Sequence, residues 1–243
     1  MHRPSRREQD RAETMVIFIH GFMGSPDHFS DLAEIVYEKG CSAMSILLPG
    51  HGAGMREFVR VGMDDWERHV RNEIERVDGR YKKIILVGHS MGGLLALGAS
   101  LAESRVAGVL TIATPLKINR KALYLKIRLL TSPQLKEARR AYLRATSIGR
   151  SAFWHYLVLI RSVLSLLRLM RQTRRRLSEV TVPVTLVYSK SDETVDYRSA
   201  KIFEEGLSNS ERAVVTLEQS WHTYYDAAER AVIAEKLLEM VGG

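Results

Sequence analysis

Gly88-His89-Ser90-Met91-Gly92 sets a serine between two glycines in the pattern G-x-S-x-G. The apolar run KIILV precedes it and the small-residue run GLLALGAS follows it. The first reads as a strand and the second as a helix, so Ser90 falls at a sharp strand-to-helix turn that lifts its hydroxyl above the sheet. Glycine on both sides relieves crowding in such a turn. A serine hydroxyl is a poor nucleophile until a base takes its proton. The first N–H groups of the helix that follows have no intrahelical partner and favour negative charge. These features together predict attack of Ser90 on a carbonyl. A serine that merely caps a helix is the bland alternative.

The base is sought among eight histidines. His2 lies in a polar terminus, His20 and His51 in glycine turns, and His28, His69 and His155 in or beside helices. The side chain of His89 is expected to point away from its neighbour Ser90. His222 differs, because EQSWHTYY lies between the strand-like AVVTL and the last helix. A loop there reaches the C-terminal edge of the sheet, where Ser90 also stands. The acid that orients a catalytic imidazole is expected in SKSDETVD, after the strand VTLVY. Asp192 is the choice, Asp196 the competitor, and Glu193 reads as a solvated neighbour. The order is Ser…Asp…His, with separations of 102 and 30 residues. The first strand ends in His20-Gly21-Phe22-Met23-Gly24. Its Phe22 N–H and the Met91 N–H are the expected donors to an oxyanion, while the Phe22 and Met91 side chains are candidates to line an acyl pocket. His20 is expected to order this loop through a hydrogen bond.

Those residues need a scaffold, and its elements alternate. Strands are expected over Met15–His20, Ala43–Leu48, Lys83–Gly88, Ala107–Ile112, Val182–Tyr188 and Ala213–Leu217. Helices are expected over Asp27–Lys39, Asp64–Val77, Met91–Ala102, Ser199–Glu205 and Tyr224–Met240. Continuous apolar strands separated by helices predict a mostly parallel sheet of about six strands, covered on both faces. Between Ile112 and Val182 the alternation stops. That stretch reads as helices, including Pro133–Ala145 and Ser151–Arg171. The domain reading is a polar extension over 1–14, a core over 15–114 and 179–243, and a helical lid over 115–178. Lids of this kind shape a pocket and exclude water.

Charge separates the same parts. The chain of 243 residues carries 36 Lys and Arg against 28 Asp and Glu, a net +8. Residues 117–176 hold sixteen basic residues and the single acid Glu137, a net +15, which leaves 8 − 15 = −7 for the remainder. A basic block on an acidic body can steer anions or lie on anionic lipid. Within it, Arg161, Ser165, Arg168, Gln172 and Arg175 trace a polar stripe at helical spacing. Leu157, Ile160, Leu164, Leu167 and Met170 trace an apolar side, widened by Val163 and Leu166. The one cysteine, Cys41, excludes an internal disulfide and suits a reducing compartment. With no signal-like or spanning run, the expected location is cytoplasmic, with contact at a membrane surface left open through the basic insert.

The chain resembles the α/β-hydrolase superfamily, in particular small bacterial carboxylesterases and monoacylglycerol-lipase-like enzymes. FIHGFMGSPDHF, LLPGHG, DDWERHV, ILVGHSMGG, YSKSDETVD and the late SWH carry the likeness, in the family order, over most of residues 15–240. The resemblance implies Ser90 as nucleophile, Asp192 as acid and His222 as base, oxyanion amides from Phe22 and Met91, and hydrolysis of short- to medium-chain esters or monoacylglycerols without a cofactor. Two departures stand out. Trp221 replaces a glycine common before the catalytic histidine, which makes it a third pocket candidate. The family sheet has eight strands, and the first two find no room before Met15.

Other chemistries lack their residues. There is no G-x-G-x-x-G after the first strand, no G-x-x-x-x-G-K-[ST] and no H-E-x-x-H, so dinucleotide, phosphate-loop and zinc-protease readings fail. Neither cofactor nor metal is expected. The expected partner is a small ester. Acyl transfer to another alcohol and thioester cleavage remain alternatives of the same fold. A non-catalytic module binding anionic lipid or nucleic acid is the remaining class. No nucleic-acid motif accompanies the basic block, so that partner is not expected, and oligomeric state is not legible.

Overall fold

The computed structural model describes residues 2–131, 134 and 158–242. The expected helix over 133–145, apart from Gln134, and the first part of that over 151–171 lie outside the described residues.

Strand β2 (Thr14–Ile19) shows how the sheet organises the chain. Met15, Ile17 and Ile19 enter one hydrophobic cluster, while Val16 and Phe18 enter the other, as the alternation of side chains along a strand requires. The neighbours are β3 (Ser42–Ile46), β4 (Lys83–His89), β5 (Val106–Ile112), β6 (Val184–Ser189) and β7 (Arg212–Leu217). The order is β1-β3-β2-β4-β5-β6-β7, parallel throughout except for β1 (Ser5–Arg7). Buried on both faces, β2, β3 and β4 read as unbroken apolar or small-residue runs.

On the first face lie α3 (Met63–Glu75), with Trp66, Val70 and Ile74 buried, and α4 (Met91–Ser100), which buries Leu94 to Leu97. The second face is covered by α1 (Ser30–Glu38) through Leu32 and Val36, and by α8 (Ala227–Gly242) through Ile233 and Leu237. A short turn of helix, α2 (Met55–Phe58), packs Phe58 near Trp66, with ring centroids 6.2 Å apart. Helix α7 (Arg198–Gly206) buries Ala200 and Phe203.

Between β5 and β6 run α5 (Arg120–Thr131) and α6 (Leu159–Arg176). Helix α6 packs on α3 and α4. It buries Leu159, Val163, Leu166 and Met170 and leaves Ile160, Leu164 and Leu167 exposed. The spacing predicts an apolar side through Leu157, Ile160, Leu164, Leu167 and Met170, widened by Val163 and Leu166. Met170, Val163 and Leu166 of that side are buried, whereas Ile160, Leu164 and Leu167, about 100° around the helix, face solvent, and Leu157 lies outside the described residues.

Two expectations on the sheet change. It has seven strands, because Ser5–Arg7, assigned to the polar extension, pairs antiparallel with Met44 and its neighbours. All three residues of β1 are exposed, so no hydrophobic alternation marks it. Its guanidinium of Arg7 lies 4.5 Å from the Tyr37 ring centre and pairs with Glu34, which ties the edge to α1.

The chain turns to one side after β2 to make β3, then to the other to make β4. The crevice between β2 and β4 is therefore the switch point of the sheet, where ligands of such folds bind beyond the strand ends. The loop 20–24 and Ser90 both emerge there.

Candidate active site

Ser90 follows the last residue of β4 and has φ 53° and ψ −120°. A residue with a β-carbon adopts this region only when the surroundings enforce it. The enforcing contacts are backbone against backbone. A Cβ on Gly92 would stand 1.9 Å from the carbonyl oxygen of Ile19, and one on Gly88 would stand 2.4 Å from Gly93. The two glycines let α4 start in contact with β2, and this holds the turn.

His222 Nε2 lies 3.1 Å from Ser90 Oγ, and its Nδ1 lies 2.9 Å from Asp192 Oδ2. The His222 and Asp192 side chains are 9% and 3% exposed, so little water competes for this chain of bonds. Asp192 Oδ1 accepts the amides of Thr194 and Val195 at 2.7 and 2.8 Å. With Oδ2 on the imidazole, the carboxylate favours the tautomer that carries hydrogen on Nδ1 and leaves Nε2 free to accept. Asp196 is not part of this chain. Both of its oxygens are bonded to the exposed Arg198 guanidinium.

The main chain of His222 is gripped as well. His89 Nε2 donates to its carbonyl at 2.7 Å, and the Tyr225 hydroxyl donates to the same oxygen at 3.2 Å. Glu193 Oε2 accepts its N–H at 3.0 Å. Burial works to raise the Glu193 carboxyl, but the His222 amide, the Thr194 hydroxyl and the Lys126 ammonium together bring it down to about 2. Glu193 is exposed, as its sequence position suggested, and in addition is bound into the site through the His222 amide. The role of His89 was equally invisible, since it acts on a backbone group 133 residues away. Burial, with His222 and His28 nearby, holds the His89 imidazole well below its ordinary range.

Loop 20–24 is fixed by two neutral histidines. His20 Nδ1 donates to the Gly21 carbonyl at 3.0 Å and its Nε2 accepts the Leu48 amide at 3.1 Å, the ordering role expected of it. His51 Nε2 accepts the Met23 amide at 3.1 Å and its Nδ1 donates to the Pro49 carbonyl at 3.2 Å. Burial pushes the His51 imidazole down to about 4. Among the described residues, the Phe22 and Met91 amides donate to no protein acceptor. Both issue from the switch point beside Ser90.

A cavity of about 230 Å³ opens over Ser90. Leu159, Val163 and Leu166 of α6 and Leu123 of α5 line one part, and Lys126, Glu193 and Thr223 line another. Phe22 is on the wall, with its ring edge-on to Phe58 at 5.0 Å. The two other pocket candidates are not. The Met91 side chain is fully buried in the core beneath the turn. Trp221 is 63% exposed. Its neighbours Ser220 and His222 are both buried, while Trp221 faces solvent at a turn closed by its N–H on the Tyr224 carbonyl at 2.8 Å.

The arrangement can carry a proton from Ser90 to His222 and stabilise the resulting imidazolium through Asp192. Among the described residues, no group of three His, Cys, Asp or Glu could hold a metal ion. No helix among them is long and apolar enough to cross a membrane.

The profile of the family described as serine aminopeptidase, S33, matches residues 10–226. A thermostable monoacylglycerol lipase of Bacillus sp. (strain H-257) is 28% identical over 92% of this chain and 88% of its own. A carboxylesterase of Bacillus subtilis (strain 168) is 20% identical over 93% and 91%. Among solved structures, one described with two metagenome-derived lipolytic enzymes superposes with a TM-score of 0.78. Its sequence is 19% identical, and the match covers 99% of this chain and 98% of that one.

Proposed function

The chain belongs to the serine aminopeptidase S33 family of α/β-hydrolases, and on that premise we propose that it hydrolyses carboxylic esters through an acyl-enzyme on Ser90. The observation that carries this reading is the unbroken run Ser90–His222–Asp192, at 3.1 and 2.9 Å, beneath an apolar cavity. The substrates proposed are short- to medium-chain acyl esters or monoacylglycerols, in keeping with the lipase and esterase named above. An acyl chain suits the side lined by Leu159, Val163 and Leu166.

His222 takes the Ser90 proton as Oγ bonds to the ester carbon. The carbonyl oxygen becomes an oxyanion, and the Phe22 and Met91 amides donate to it. The imidazolium then gives its proton to the departing alcohol. Water, deprotonated by the same imidazole, attacks the acyl-serine, and the imidazolium returns the proton to Ser90 Oγ as its bond to the acyl carbon breaks and the acid leaves. Asp192 stays ionised throughout and holds the ring.

An aminopeptidase reading fits less well. Such an enzyme must neutralise a free ammonium near the scissile bond. The one carboxylate among the described lining residues is Glu193, already bonded to the His222 amide and facing Lys126. Thioester cleavage and transfer to an alcohol use the same steps with a different leaving group or acceptor. The proposed surface partner is anionic lipid. The exposed Ile160, Leu164 and Leu167 of α6 lie beside the exposed Arg161 and Arg168, a pairing suited to a charged interface. This contact would be read by co-sedimentation with anionic and neutral vesicles at low and high salt.

The deciding experiment is hydrolysis of p-nitrophenyl and glycerol esters across acyl lengths by wild type and Ser90→Ala, with fluorophosphonate labelling of both. Turnover and single labelling of the wild type, both lost in Ser90→Ala, are expected. Ester turnover that survives in Ser90→Ala would refute the acyl-enzyme.

A further inference from the structure

His222 sits in a loop without regular secondary structure, so its position depends on individual bonds to its main chain. The bond to its N–H comes from Glu193, and the contacts of that carboxylate lead away from the base toward α5. Glu193 Oε1 accepts the Thr194 hydroxyl at 2.7 Å and stands 3.5 Å from Lys126 Nζ. Lys126 also donates to Thr194 Oγ1 at 2.5 Å. The ammonium comes from a helix whose start is itself fastened to the acid loop. Asn119 donates its amide to the Thr194 carbonyl at 2.8 Å, Asp196 donates its amide to the Lys117 carbonyl at 3.0 Å, and Ile118 bridges Val195. The Asn119 side chain accepts the Lys121 amide at 3.1 Å, which caps α5. Lys126 is seven residues beyond Asn119, close to two full turns, and so faces the same loop.

We propose that Glu193 and Lys126 are positioning residues for His222: the carboxylate fixes the main chain that carries the imidazole, and the ammonium fixes the carboxylate. The role rests on His222 being the base of the reaction described above. Asp192 sets the rotation of the ring, and the grip on the backbone sets where the ring is hung. A small displacement of a base costs much of the rate it supplies, because proton transfer needs the reacting atoms at hydrogen-bond distance. The Lys126 and Glu193 side chains are 32% and 50% exposed. An ion pair so open to water adds little to folding stability, so its loss should appear in turnover and not in melting.

The test uses the full chain and a small soluble ester, p-nitrophenyl acetate, which needs little of the acyl cavity. Lys126→Met should lower kcat by about tenfold with KM changed less than about twofold, at an unchanged melting temperature. Lys126→Arg, which keeps the charge, should recover most of the loss. Glu193→Ala should cost more, about 30-fold in kcat, because a charge-assisted bond to the His222 amide is lost outright. The double variant should be no slower than Glu193→Ala alone, since the lysine acts through the carboxylate. Wild-type kcat in Lys126→Met, additive losses in the double variant, or a kcat loss accompanied by a matching loss of stability would each overturn the proposal. The rate of Ser90 labelling by a fluorophosphonate gives the same comparisons without an ester. A protein that labels but cleaves no ester would refute ester hydrolysis and still decide the part played by Lys126 and Glu193.

Discussion

His89 donates its Nε2 proton to the main-chain carbonyl of His222 at 2.7 Å, with the two rings 5.0 Å apart. The residue that ends β4 therefore ties the serine turn to the loop that faces Ser90. The imidazole of His89 is buried, and burial with His222 and His28 nearby holds it well below its ordinary range, which disfavours a positive charge beside the His222 ring.

Asp192→Asn is expected to lower kcat by about 10⁴-fold with the fold intact, because an amide nitrogen facing Nδ1 favours the wrong tautomer. The remaining amide oxygen can still take the Thr194 and Val195 N–H groups. Asp196→Asn should stay within about threefold of wild type, since its bonds go to an exposed arginine. Parallel kinetics on one ester decide the point, and an inactive Asp196→Asn beside an active Asp192→Asn would reverse the assignment.

Chain-length preference should respond to α6 and not to Trp221. Val163→Phe puts a ring into the cavity wall and should shift the acyl optimum to shorter chains. Trp221→Gly removes a side chain that is 63% exposed and off the wall, and should leave the optimum where it is. Profiles over a series of p-nitrophenyl esters test both, and a shifted optimum in Trp221→Gly would return that residue to the pocket.

Gly92→Ala should be costly, because its Cβ would meet the Ile19 and His20 carbonyl oxygens at 1.9 and 2.8 Å. Backbone atoms on both sides leave nothing to swing aside, and the expected loss is about 3 kcal/mol or more. Gly79→Ala is the control, with no atom within 4 Å of the added carbon. Urea unfolding of the two variants should differ in midpoint, and equal midpoints would contradict the close approach of α4 to β2.

Stability should fall as the pH drops from neutral toward 4. The His51 imidazole is lowered from 6.5 to about 4 by burial. Above the unfolded value neither state is protonated and no penalty exists. Between 6.5 and 4 the unfolded chain binds a proton that the folded ring refuses, so unfolding gains by up to about 3 kcal/mol at the lower end. His20, also lowered by burial, acts with the same sign. Denaturant midpoints at pH 7 and 4.5 measure the loss, and His51→Gln should reduce it. A midpoint that does not change over this range would count against a buried neutral His51.

The sheet was legible where strands are buried on both faces, since VIFI, IILV and TLVY are short apolar runs rich in β-branched residues and flanked by turn residues. It was illegible at Ser5–Arg7, where a strand made only of polar residues leaves no pattern. The Ser90, Asp192 and His222 positions could be read because each follows a strand at the same edge. Glu193, His89 and Lys126 could not be, because they act on backbone groups or on one another across the fold. Trp221 shows the opposite error. Adjacency to His222 in sequence implied adjacency to the cavity, yet Trp221 faces solvent between two buried neighbours. On α6, the apolar side spans two adjacent rows, and the core takes the row opposite the arginines while the row beside them stays exposed.

The backbone of Ser90, at φ 53°, sets folding against reactivity at a single residue. Its Cβ is the source of the strain and its hydroxyl is the reason to keep it. Two inactive variants separate these parts, since Ser90→Ala removes the hydroxyl and Ser90→Gly removes the β-carbon as well. The glycine protein should be the more stable of the two by about 1 kcal/mol or more, despite the greater freedom glycine gives the unfolded chain. It should also melt above the wild type. On the role proposed for Ser90, a search for thermostable variants that monitors folding alone is therefore expected to favour glycine at this turn and to lose the hydroxyl that the reaction needs.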